Sequence, residues 1–439
     1  MTALRIKTFL LSAAAALSLA TGAGAEESLK AAIDADYKAN LEALFLNFHE
    51  NPELSHREFK TAERIATELS GLGYDVTRKV GGTGVVAVMK NGAGPTVLLR
   101  ADMDGLPIEE KSGLSYASKA RQVDINGVDQ PVMHACGHDV HITSLVGAAR
   151  QLSARKDQWS GTLVLIGQPA EERISGARDM LADGLYKRFP KPDYALGFHV
   201  SAQKPAGKIE VPLTIVASSS DSVDIIVHGV GAHGASPHKG VDPVLVASQI
   251  VVSLQSIVSR SIAPLEPGVI TVGAIHGGTK HNIIGDKVEM QITVRSDDQK
   301  TRDALLDGID RVAEGVAISL GVPKDKMPEV IRSKTETTPP TINDTATATV
   351  IKTAFTEHFG TDMMYETPRQ GMGAEDFAYL VAPGTGVKGV YFWVGGTPEK
   401  EVETAPSHHS ALFKITPKPA IESGVEAMVV GAMTLMPVQ

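Results

Sequence analysis

The amino-acid sequence predicts an α/β protein made of a mixed-sheet domain and a smaller ferredoxin-like unit inserted into it. The length of 439 residues exceeds that of an ordinary single domain and favours two. Apolar runs of strand length alternate with segments of helical periodicity, as is typical of a layered α/β domain. Between residues 219 and 335 the order of elements changes to β-α-β-β-α-β, after which the alternating pattern resumes. We therefore expect one domain formed by residues 26–218 and 336–439, and an inserted unit formed by residues 219–335.

Residues 1–25 predict an export signal. Arg5 and Lys7 give a positively charged start, residues 8–20 are apolar or small, and residues 23–25 (Ala-Gly-Ala) fit a cleavage site. The apolar run is too short to span a bilayer, and we expect no later segment to do so. The signal predicts a periplasmic or secreted protein that has no membrane contact after cleavage.

The charge of the chain argues against nucleic-acid binding, and its cysteine content excludes an internal disulfide. The chain has 42 basic and 51 acidic residues and a formal net charge of -9, which argues against binding to nucleic-acid phosphates. Its single cysteine, Cys136, cannot form an internal disulfide. Because an exposed thiol would be oxidised outside the cell, we expect Cys136 to be buried or bound to metal.

The elements of the larger domain follow in order along the chain. Two helical segments lie between residues 29 and 73 and are separated by Asn51-Pro52. The runs "TGVVAVMK" and "PTVLLR" flank the turn "NGAG" and predict a strand pair. "DVHITSLVGAARQLSAR" has helical periodicity, with Asp139 placed as the N-cap. The continuous apolar runs "GTLVLIGQ", "YALGFHV" and "GVYFWVGG" predict strands that are buried on both faces.

The inserted unit is predicted to contain four strands and two helices. Its strands are "DSVDIIVHGVGAH", "GVITVGAIHGG", "DKVEMQITVRS" and "PEVIRSK". Its helices are the amphipathic segments "DPVLVASQIVVSLQSIVSR" and "TRDALLDGIDRVAEGVAISLG".

Carboxylates and imidazoles follow the ends of several predicted strands. Sites in open α/β sheets assemble outside the carboxyl ends of strands, so these groups should converge. They include Asp102 and Asp104, Glu171 and Glu172, His199, and His408 and His409. The segment "VMHACGHDVHI" adds three histidines and the only cysteine in a loop that leads into a helix. The convergence predicts a metal site.

The donor types restrict the metal. The candidate ligands are one thiolate, one carboxylate and three imidazoles: Cys136, Glu172, His138, His199, and either His408 or His409. Five protein ligands are too many for one catalytic ion that keeps an open position, so two ions fit better. Thiolate and imidazole favour Mn, Zn, Co or Ni over Mg or Ca.

The adjacent carboxylates Glu171 and Glu172 predict a division of labour in which one binds metal and the other is a general base. Simpler interpretations remain. A glutamate pair is most often a solvated surface turn, and a lone cysteine is most often a buried small hydrophobe. His134 and His141 are expected to form local hydrogen bonds or packing contacts.

Eight segments resemble the dimetal amidohydrolases that include hippurate hydrolases, N-acyl-amino-acid aminoacylases and the plant indole-acetyl-amino-acid hydrolases, within the aminoacylase/carboxypeptidase clan. These segments are "RADMDGLP", "HACGHDVH", "QPAEE", "GFHV", "GVGAHGASPHKGVDP", "HNIIGD", "GMGAEDFAY" and "HHSALF". The resemblance covers the whole mature chain and implies a metallopeptidase-like catalytic domain with an inserted dimerisation or lid domain.

The resemblance also implies residue roles. Glu171 would be the general base, and Asp104 would lie behind the site and orient a ligand. His233 would enter the active site of the partner in a homodimer or higher homo-oligomer. Asn282 and Arg295 would hold the carboxylate of the substrate. The implied metal ligands are Cys136, His138, Glu172, His199 and His409.

The predicted function is hydrolysis of the amide bond of N-acyl amino acids, with Glu171 activating a water held between two metal ions. A related alternative is an exported dipeptidase or carboxypeptidase of the same clan. An alternative of a different class is a non-catalytic periplasmic protein that binds a metal or a ligand. The intact Glu171-Glu172 pair favours an enzyme over this last possibility.

Overall fold

The fold is known from a computed structural model, which describes residues 28–438; the predicted export signal lies outside these residues. The strands are β1 (Asp75–Val80), β2 (Gly84–Asn91), β3 (Thr96–Asp102), β4 (Arg121–Val123), β5 (Asp129–Pro131), β6 (Gly161–Gln168), β7 (Tyr194–Pro205), β8 (Ile209–Glu210), β9 (Ile215–Ala217), β10 (Ser220–His228), β11 (Ala232–His233), β12 (Gly268–Gly277), β13 (Ile283–Ile284), β14 (Lys287–Ser296), β15 (Glu329–Thr338), β16 (Thr341–Ile342) and β17 (Lys388–Thr397). The α-helices are α1 (Leu29–Asp36), α2 (Glu42–Glu50), α3 (Phe59–Gly71), α4 (His138–Ala154), α5 (Gly176–Ala182), α6 (Leu185–Arg188), α7 (Pro243–Ser256), α8 (Gln299–Ser319), α9 (Thr345–Phe359) and α10 (Pro417–Leu435).

The larger sheet has seven strands in the order β1-β2-β6-β3-β7-β17-β8. Its four central strands, β6, β3, β7 and β17, are parallel, and the outer pairings are antiparallel. Val97 and Leu99 of β3 pack with α4 and α10 on one face, whereas Leu98 packs with residues of α5 on the other. Coverage of both faces explains the continuous apolar runs of these strands. The predicted mixed α/β sheet is confirmed.

Two local predictions are wrong, one for strand pairing in this sheet and one for the start of helix α4. The predicted strand pair, β2 and β3, is separated by β6, which pairs with both. The turn between them crosses the start of β6 so closely that a Cβ on Gly94 would lie 2.3 Å from the carbonyl oxygen of Ser160. Alternating apolar residues identify strands but do not choose their partners.

The second wrong prediction concerns the N-terminus of α4. Its N-cap is Gly137, in the left-handed region with φ 84°, and not Asp139. Asp139 lies inside the first turn, where its carboxylate bonds His49 Nδ1 at 2.7 Å. A buried long-range partner therefore takes the side chain that the sequence assigned to capping.

The smaller sheet has four antiparallel strands in the order β12-β14-β10-β15. Helices α7 and α8 pack on it and share a separate apolar core with its strands. The observed element order is the predicted β-α-β-β-α-β, with the first strand central, as in ferredoxin-like units. The domain boundaries given above stay a prediction.

The helical stretch Pro243–Ser261, which begins with α7, is long and apolar enough to cross a membrane by length and composition. The expectation that no later segment meets this criterion is therefore wrong. Val246, Ile250 and Leu254 of this stretch are buried in the core of the smaller unit. A core helix passes the same length and composition test, so the observation is weak evidence for a membrane span.

Candidate metal centre

Parallel strands bring the predicted site residues to one edge of the larger sheet. β3 ends at Asp102, and β6 is followed by a short 3-10 turn that carries Glu171 and Glu172. Cys136 and His138 lie at the start of α4. Strand β7 continues to Pro205, so His199 lies within the strand and not at its end. The neighbouring strands β6, β3 and β7 thus supply groups to one edge, as the switch-point rule predicts.

The first group of donors is Cys136, His138 and His199, whose candidate ligand atoms lie within 4.8 Å of one another. His199 Nδ1 is 2.7 Å from the carbonyl oxygen of Val200 and donates to it. This bond leaves the lone pair on Nε2, which is 3.4 Å from Cys136 Sγ. The backbone therefore fixes the tautomer that presents Nε2 as a ligand.

His138 is oriented in the same way. Its Nδ1 donates to the carbonyl oxygen of Asp104 at 2.8 Å. Among the described residues, neither its buried Nε2 nor Glu172 Oε1, 3.8 Å away, has a hydrogen-bond partner. Two buried polar atoms that face each other without partners are costly unless a further group binds between them.

The second group of donors is Cys136, Glu172 and His409, again within 4.8 Å of one another. His409 Nε2 lies 3.4 Å from Glu172 Oε2. His408 is placed differently, because its Nε2 accepts the backbone N–H of Ala202 at 3.2 Å. Its Nδ1 must then carry the proton and points at Cys136 Sγ, 3.7 Å away. The geometry makes His409 the free imidazole and His408 a donor to the sulfur.

The electrostatics of the site fit bound cations. Burial is the main cause that raises the pKa of Glu172 to about 8. The charge of His138 opposes this shift, and the charges of Asp104 and Asp102 add to it. Burial and the charges of Glu172 and Glu171 also raise the pKa of the Cys136 thiol. A divalent cation would reverse both shifts, since it stabilises the anionic form of each ligand. Together with the unpartnered His138 and Glu172 atoms, the mixed S, N and O donor set fits transition-metal ions.

Glu171 is buried among the donors, with its carboxylate within 4.8 Å of candidate ligand atoms of His138 and Glu172. Its carboxylate lies within 4.8 Å of ligand atoms of Glu375 and Asp376. Burial and the negative charges of Glu375 and Glu172 raise the pKa of Glu171 well above its usual range. A desolvated carboxylate next to a metal site is what a general base requires.

Asp104 lies directly beneath the two glutamates. Its Oδ1 accepts the backbone N–H of Glu171, and its Oδ2 accepts that of Glu172, each at 3.1 Å. Ser55 Oγ donates to the same Oδ2 at 2.6 Å. The backbone oxygen of Asp104 also holds His138. Asp104 thus connects the ring of His138 to the backbone of both glutamates, and its orienting role stays a prediction.

Sequence reasoning missed a second buried network behind the donors. Asp102 Oδ1 is 2.5 Å from His141 Nδ1, and His141 Nε2 accepts the backbone N–H of Val200 at 2.8 Å. Arg100 is completely buried and bonds Asp102 at 2.6 Å and Glu375 at 2.7 Å. The available signal was Arg100 itself, a charged residue inside the apolar run "TVLLR".

Of the two histidines expected to form local contacts, His141 forms hydrogen bonds, but to Asp102 and Val200, which are distant in the sequence. His134 is buried, and within residues 28–438 neither ring nitrogen has a hydrogen-bond partner, so the contacts seen there are packing contacts. Burial lowers the pKa of His134 to about 4, which keeps the ring neutral.

The three predicted residues of the smaller unit are not gathered with the donors. His233 on β11 is exposed and is adjacent to Asn282, whose carbonyl oxygen accepts the N–H of Gly234 at 2.8 Å. Arg295 lies on β14, where its Nε donates to Thr293 Oγ1 at 3.3 Å. Within residues 28–438, no hydrogen bond or ion pair is recorded between these three residues and the five candidate ligands.

Comparison with known proteins decides the family. The model of peptidase family M20/M25/M40 matches residues 98–430, which is more than half of the chain. The chain belongs to this family. It is 36% identical over 346 residues to hippurate hydrolase of Campylobacter jejuni, covering 79% of this chain and 86% of the relative. It is also 36% identical over 366 residues to thermostable carboxypeptidase 2 of Saccharolobus solfataricus, covering 82% and 87%.

The fold agrees with a solved member of the family. A dinuclear metal-binding M20 peptidase from Bacillus subtilis superposes with a TM-score of 0.73 and 28% identity, covering 91% of this chain and 98% of that one. The predicted membership in the dimetal amidohydrolase group and the prediction of a hydrolytic enzyme are confirmed. As an M20 member, the protein is expected to act on amide or peptide substrates.

Proposed function

We propose that this M20 enzyme hydrolyses the amide bond of N-acyl amino acids with the help of two divalent transition-metal ions. The observation that carries the proposal is the pair of donor groups that share Cys136 beside the buried carboxylate of Glu171. Similarity to hippurate hydrolase supports the substrate class, since hippurate is an N-acyl amino acid.

Five residues would hold the ions: Cys136, His138, Glu172, His199 and His409. When bound, such ions lower the pKa of a coordinated water to about 7 and polarise a substrate carbonyl. The chain contributes a preformed donor set, because backbone carbonyls already fix the tautomers of His138 and His199.

Glu171 would transfer the proton of the reaction. Its carboxylate takes a proton from the attacking water and returns it to the nitrogen of the leaving amino acid. Asp104 keeps the carboxylate in place by accepting the backbone N–H of Glu171. Burial of Glu171 limits access of bulk water to this proton.

The smaller unit would complete the site in a homodimer. We propose that His233 stabilises the developing oxyanion in the partner's site, and that Asn282 and Arg295 bind the substrate carboxylate. His233 and Asn282 are adjacent and exposed, as such roles require. Leu245 and Val252, one heptad apart on α7, are 57% and 66% exposed and offer an apolar face for self-association.

A carboxypeptidase is the second candidate, favoured by the similarity to thermostable carboxypeptidase 2. Elemental analysis of the purified protein, combined with assays on N-benzoyl and N-acetyl amino acids, unblocked dipeptides and N-blocked peptides, tests both. We expect two transition-metal ions per chain and the highest kcat/KM on N-acyl amino acids. A preference for peptides of more than one amino acid would select the carboxypeptidase, and turnover unaffected by chelation would reject the metal mechanism.

We further propose that residues 1–25 direct export. N-terminal sequencing of the protein recovered from a bacterial periplasm should then begin at Glu26. An intact N-terminus in the cytoplasm would reject the proposal.

A further inference from the structure

Residues 55–58, which we name the clamp segment, contact the turn of residues 170–175, which we name the glutamate turn because it carries Glu171 and Glu172. The clamp segment lies in the connection between α2 and α3, and of its residues only Ser55, which donates to Asp104, takes part in the site described above. Its residues meet the glutamate turn at both ends and from below. These contacts join parts of the chain that are more than a hundred residues apart.

Glu58 holds the first end of the glutamate turn. Its Oε1 accepts the backbone N–H of Ala170 at 2.8 Å and that of His56 at 3.0 Å. Its Oε2 is 2.5 Å from Thr83 Oγ1. The Glu58 side chain is completely buried. Both oxygens of this carboxyl group therefore connect the clamp segment to the turn before β2 and to the residue that precedes Glu171.

His56 and Ser55 hold the remainder of the turn. His56 Nε2 is 3.2 Å from Ser175 Oγ at the far end. Ser55 donates to Asp104, which in turn accepts the N–H groups of Glu171 and Glu172. Across the turn itself, Ser175 N–H donates to the carbonyl oxygen of Ala170 at 3.2 Å.

The backbone at this contact is strained. Ala170 has φ 49° and Ile174 has φ 53°, on either side of the two glutamates, and His56 of the clamp segment has φ 63°. Residues that carry a Cβ rarely adopt a positive φ, and a β-branched residue such as Ile174 is a genuine outlier there. Such strain persists only where the surrounding contacts impose it, and it concentrates at functional sites.

We propose that the clamp segment imposes the strained conformation of the glutamate turn and that Glu58 is a positioning residue for Glu171. This inference rests on the proposed function. Glu58 touches neither the donors nor the reacting atoms; it acts through the N–H of Ala170, which fixes the direction in which the chain enters the turn. A displacement of the base by about 1 Å can reduce turnover by about a hundredfold.

The chain offers a matched control for Glu58. Glu53 lies in the same connection, is 6% exposed and also accepts two backbone N–H groups, those of Lys60 and Thr61, each at 2.8 Å. In the part of the chain that the structure describes, its carboxylate bonds these two groups and makes no hydrogen bond to the glutamate turn. Glu53→Ala leaves two backbone N–H groups of the same region without their acceptor, as Glu58→Ala does. It therefore reports the cost to stability alone.

Glutamine provides the conservative rescue. Burial and the charge of Asp104 raise the pKa of Glu58 to about 8, so the group is largely neutral at pH 7. The amide oxygen of Glu58→Gln can accept both N–H groups, and its NH₂ can donate to Thr83. Positioning through these bonds should therefore survive the loss of the titratable group.

The decisive experiment compares Glu58→Ala, Glu58→Gln and Glu53→Ala as full-length metal-loaded enzymes. We expect Glu58→Ala to lower kcat by about tenfold to a hundredfold while KM stays within about twofold and metal content is unchanged. Glu58→Gln should keep about a third or more of wild-type kcat, and Glu53→Ala should lower the melting temperature without a comparable loss of kcat. Equal losses of kcat in Glu58→Ala and Glu53→Ala, or no loss in Glu58→Ala, would overturn the proposal.

A second measurement does not depend on turnover or on the substrate. Hydrogen–deuterium exchange of peptides that cover residues 168–176 should accelerate in Glu58→Ala and to a smaller degree in Ser175→Ala, which removes only the His56 contact. Unchanged exchange in both variants would overturn the clamp even if no N-acyl amino acid were hydrolysed by the wild-type enzyme. Ser175→Ala also serves if Glu58→Ala fails to fold.

Discussion

At the carboxyl edge of the seven-stranded sheet, Asp102, Asp104 and Glu171 are buried together, whereas on the four-stranded sheet the buried Asp221 is neutralised by an ion pair with Arg302 at 2.7 Å. The ion pair of Lys287 and Glu289 on β14 is about half exposed on each side chain, at 52% and 48%. The core of the smaller unit consists of aliphatic and methionine side chains from its strands and helices. Both units bury apolar residues well, but only the larger one buries clustered carboxylates.

The difference shows which features of this molecule serve stability and which serve chemistry. Burying like charges costs free energy, and a fold can be stable without it, as the smaller unit demonstrates. The larger unit accepts that cost at the edge where its parallel strands end, and it adds backbone strain at Ala170, Ile174 and His409. The function is therefore concentrated at this edge, and the smaller unit is expected to contribute the exposed His233 and Asn282 and the partly buried Arg295.

The largest expected effect comes from Glu171. Glu171→Gln should keep its metal content and lower kcat by about 10²–10⁴-fold, because general acid–base catalysis supplies about that factor. Glu289→Gln, an exposed carboxylate of the smaller unit, is the matched control and should leave kcat unchanged. Steady-state kinetics with elemental analysis make the test, and near-normal turnover in Glu171→Gln would remove this residue from the mechanism.

The next effect tests whether the two units cooperate across a dimer. His233→Ala should lower kcat by about 10²–10³-fold if His233 stabilises an oxyanion in the partner. His228→Ala, on β10 of the same unit, should not. Mixing Glu171→Gln and His233→Ala subunits should restore about a quarter of wild-type activity, because half of the random dimers contain one intact site. Failure to recover activity after proven subunit exchange would confine each site to one chain.

The sequence predicted the parts of this comparison that depend on local position. Glu172 and His199 follow apolar runs, and Cys136 lies in a loop that leads into a helix. This placement of ligand-type residues indicates a site because parallel strands end at one edge of a sheet. The bonds of Asp102 with His141 and of Glu58 with Ala170 could not be predicted, since they join distant segments and leave no local pattern. The partners of β2 and β3 were missed for the same reason.

A smaller effect separates the adjacent histidines His408 and His409. His409→Ala should weaken the binding of one metal ion by more than about a hundredfold, because it removes a ligand. His408→Ala should weaken it by about tenfold to a hundredfold, as is usual when a hydrogen bond to a ligand is lost. Competition titrations with a chelator of known affinity measure both. The reverse ranking would make His408 the ligand and require its bond from Ala202 to break on metal binding.

The smallest effect concerns the dependence of stability on pH. Burial lowers the pKa of His49, but its bonds to Asp139 and Glu110 outweigh burial and raise the pKa to about 10. A group whose folded pKa exceeds its unfolded value stabilises fully below the unfolded pKa of about 6.5 and loses this contribution as pH rises towards 10. The unfolding free energy should fall between pH 6.5 and 10, with a slope of at most about 1.4 kcal/mol per pH unit from this group.

Denaturant titrations of the wild type, His49→Gln and His228→Gln across this range test the assignment. His49→Gln should be less stable at pH 6.5 and should lose the part of the alkaline slope that comes from His49. Burial lowers the pKa of His138, but Asp102 and Asp104 outweigh burial and raise this pKa to about 10 as well, so His138 keeps its own contribution. His228→Gln changes a partly exposed histidine of the smaller unit and should follow the wild-type curve. If the unfolding free energies of His49→Gln and the wild type change in parallel with pH, protonation of His49 does not stabilise its buried contact with Asp139. The larger unit would then differ from the smaller one only at the carboxyl edge of its sheet, which carries Glu171.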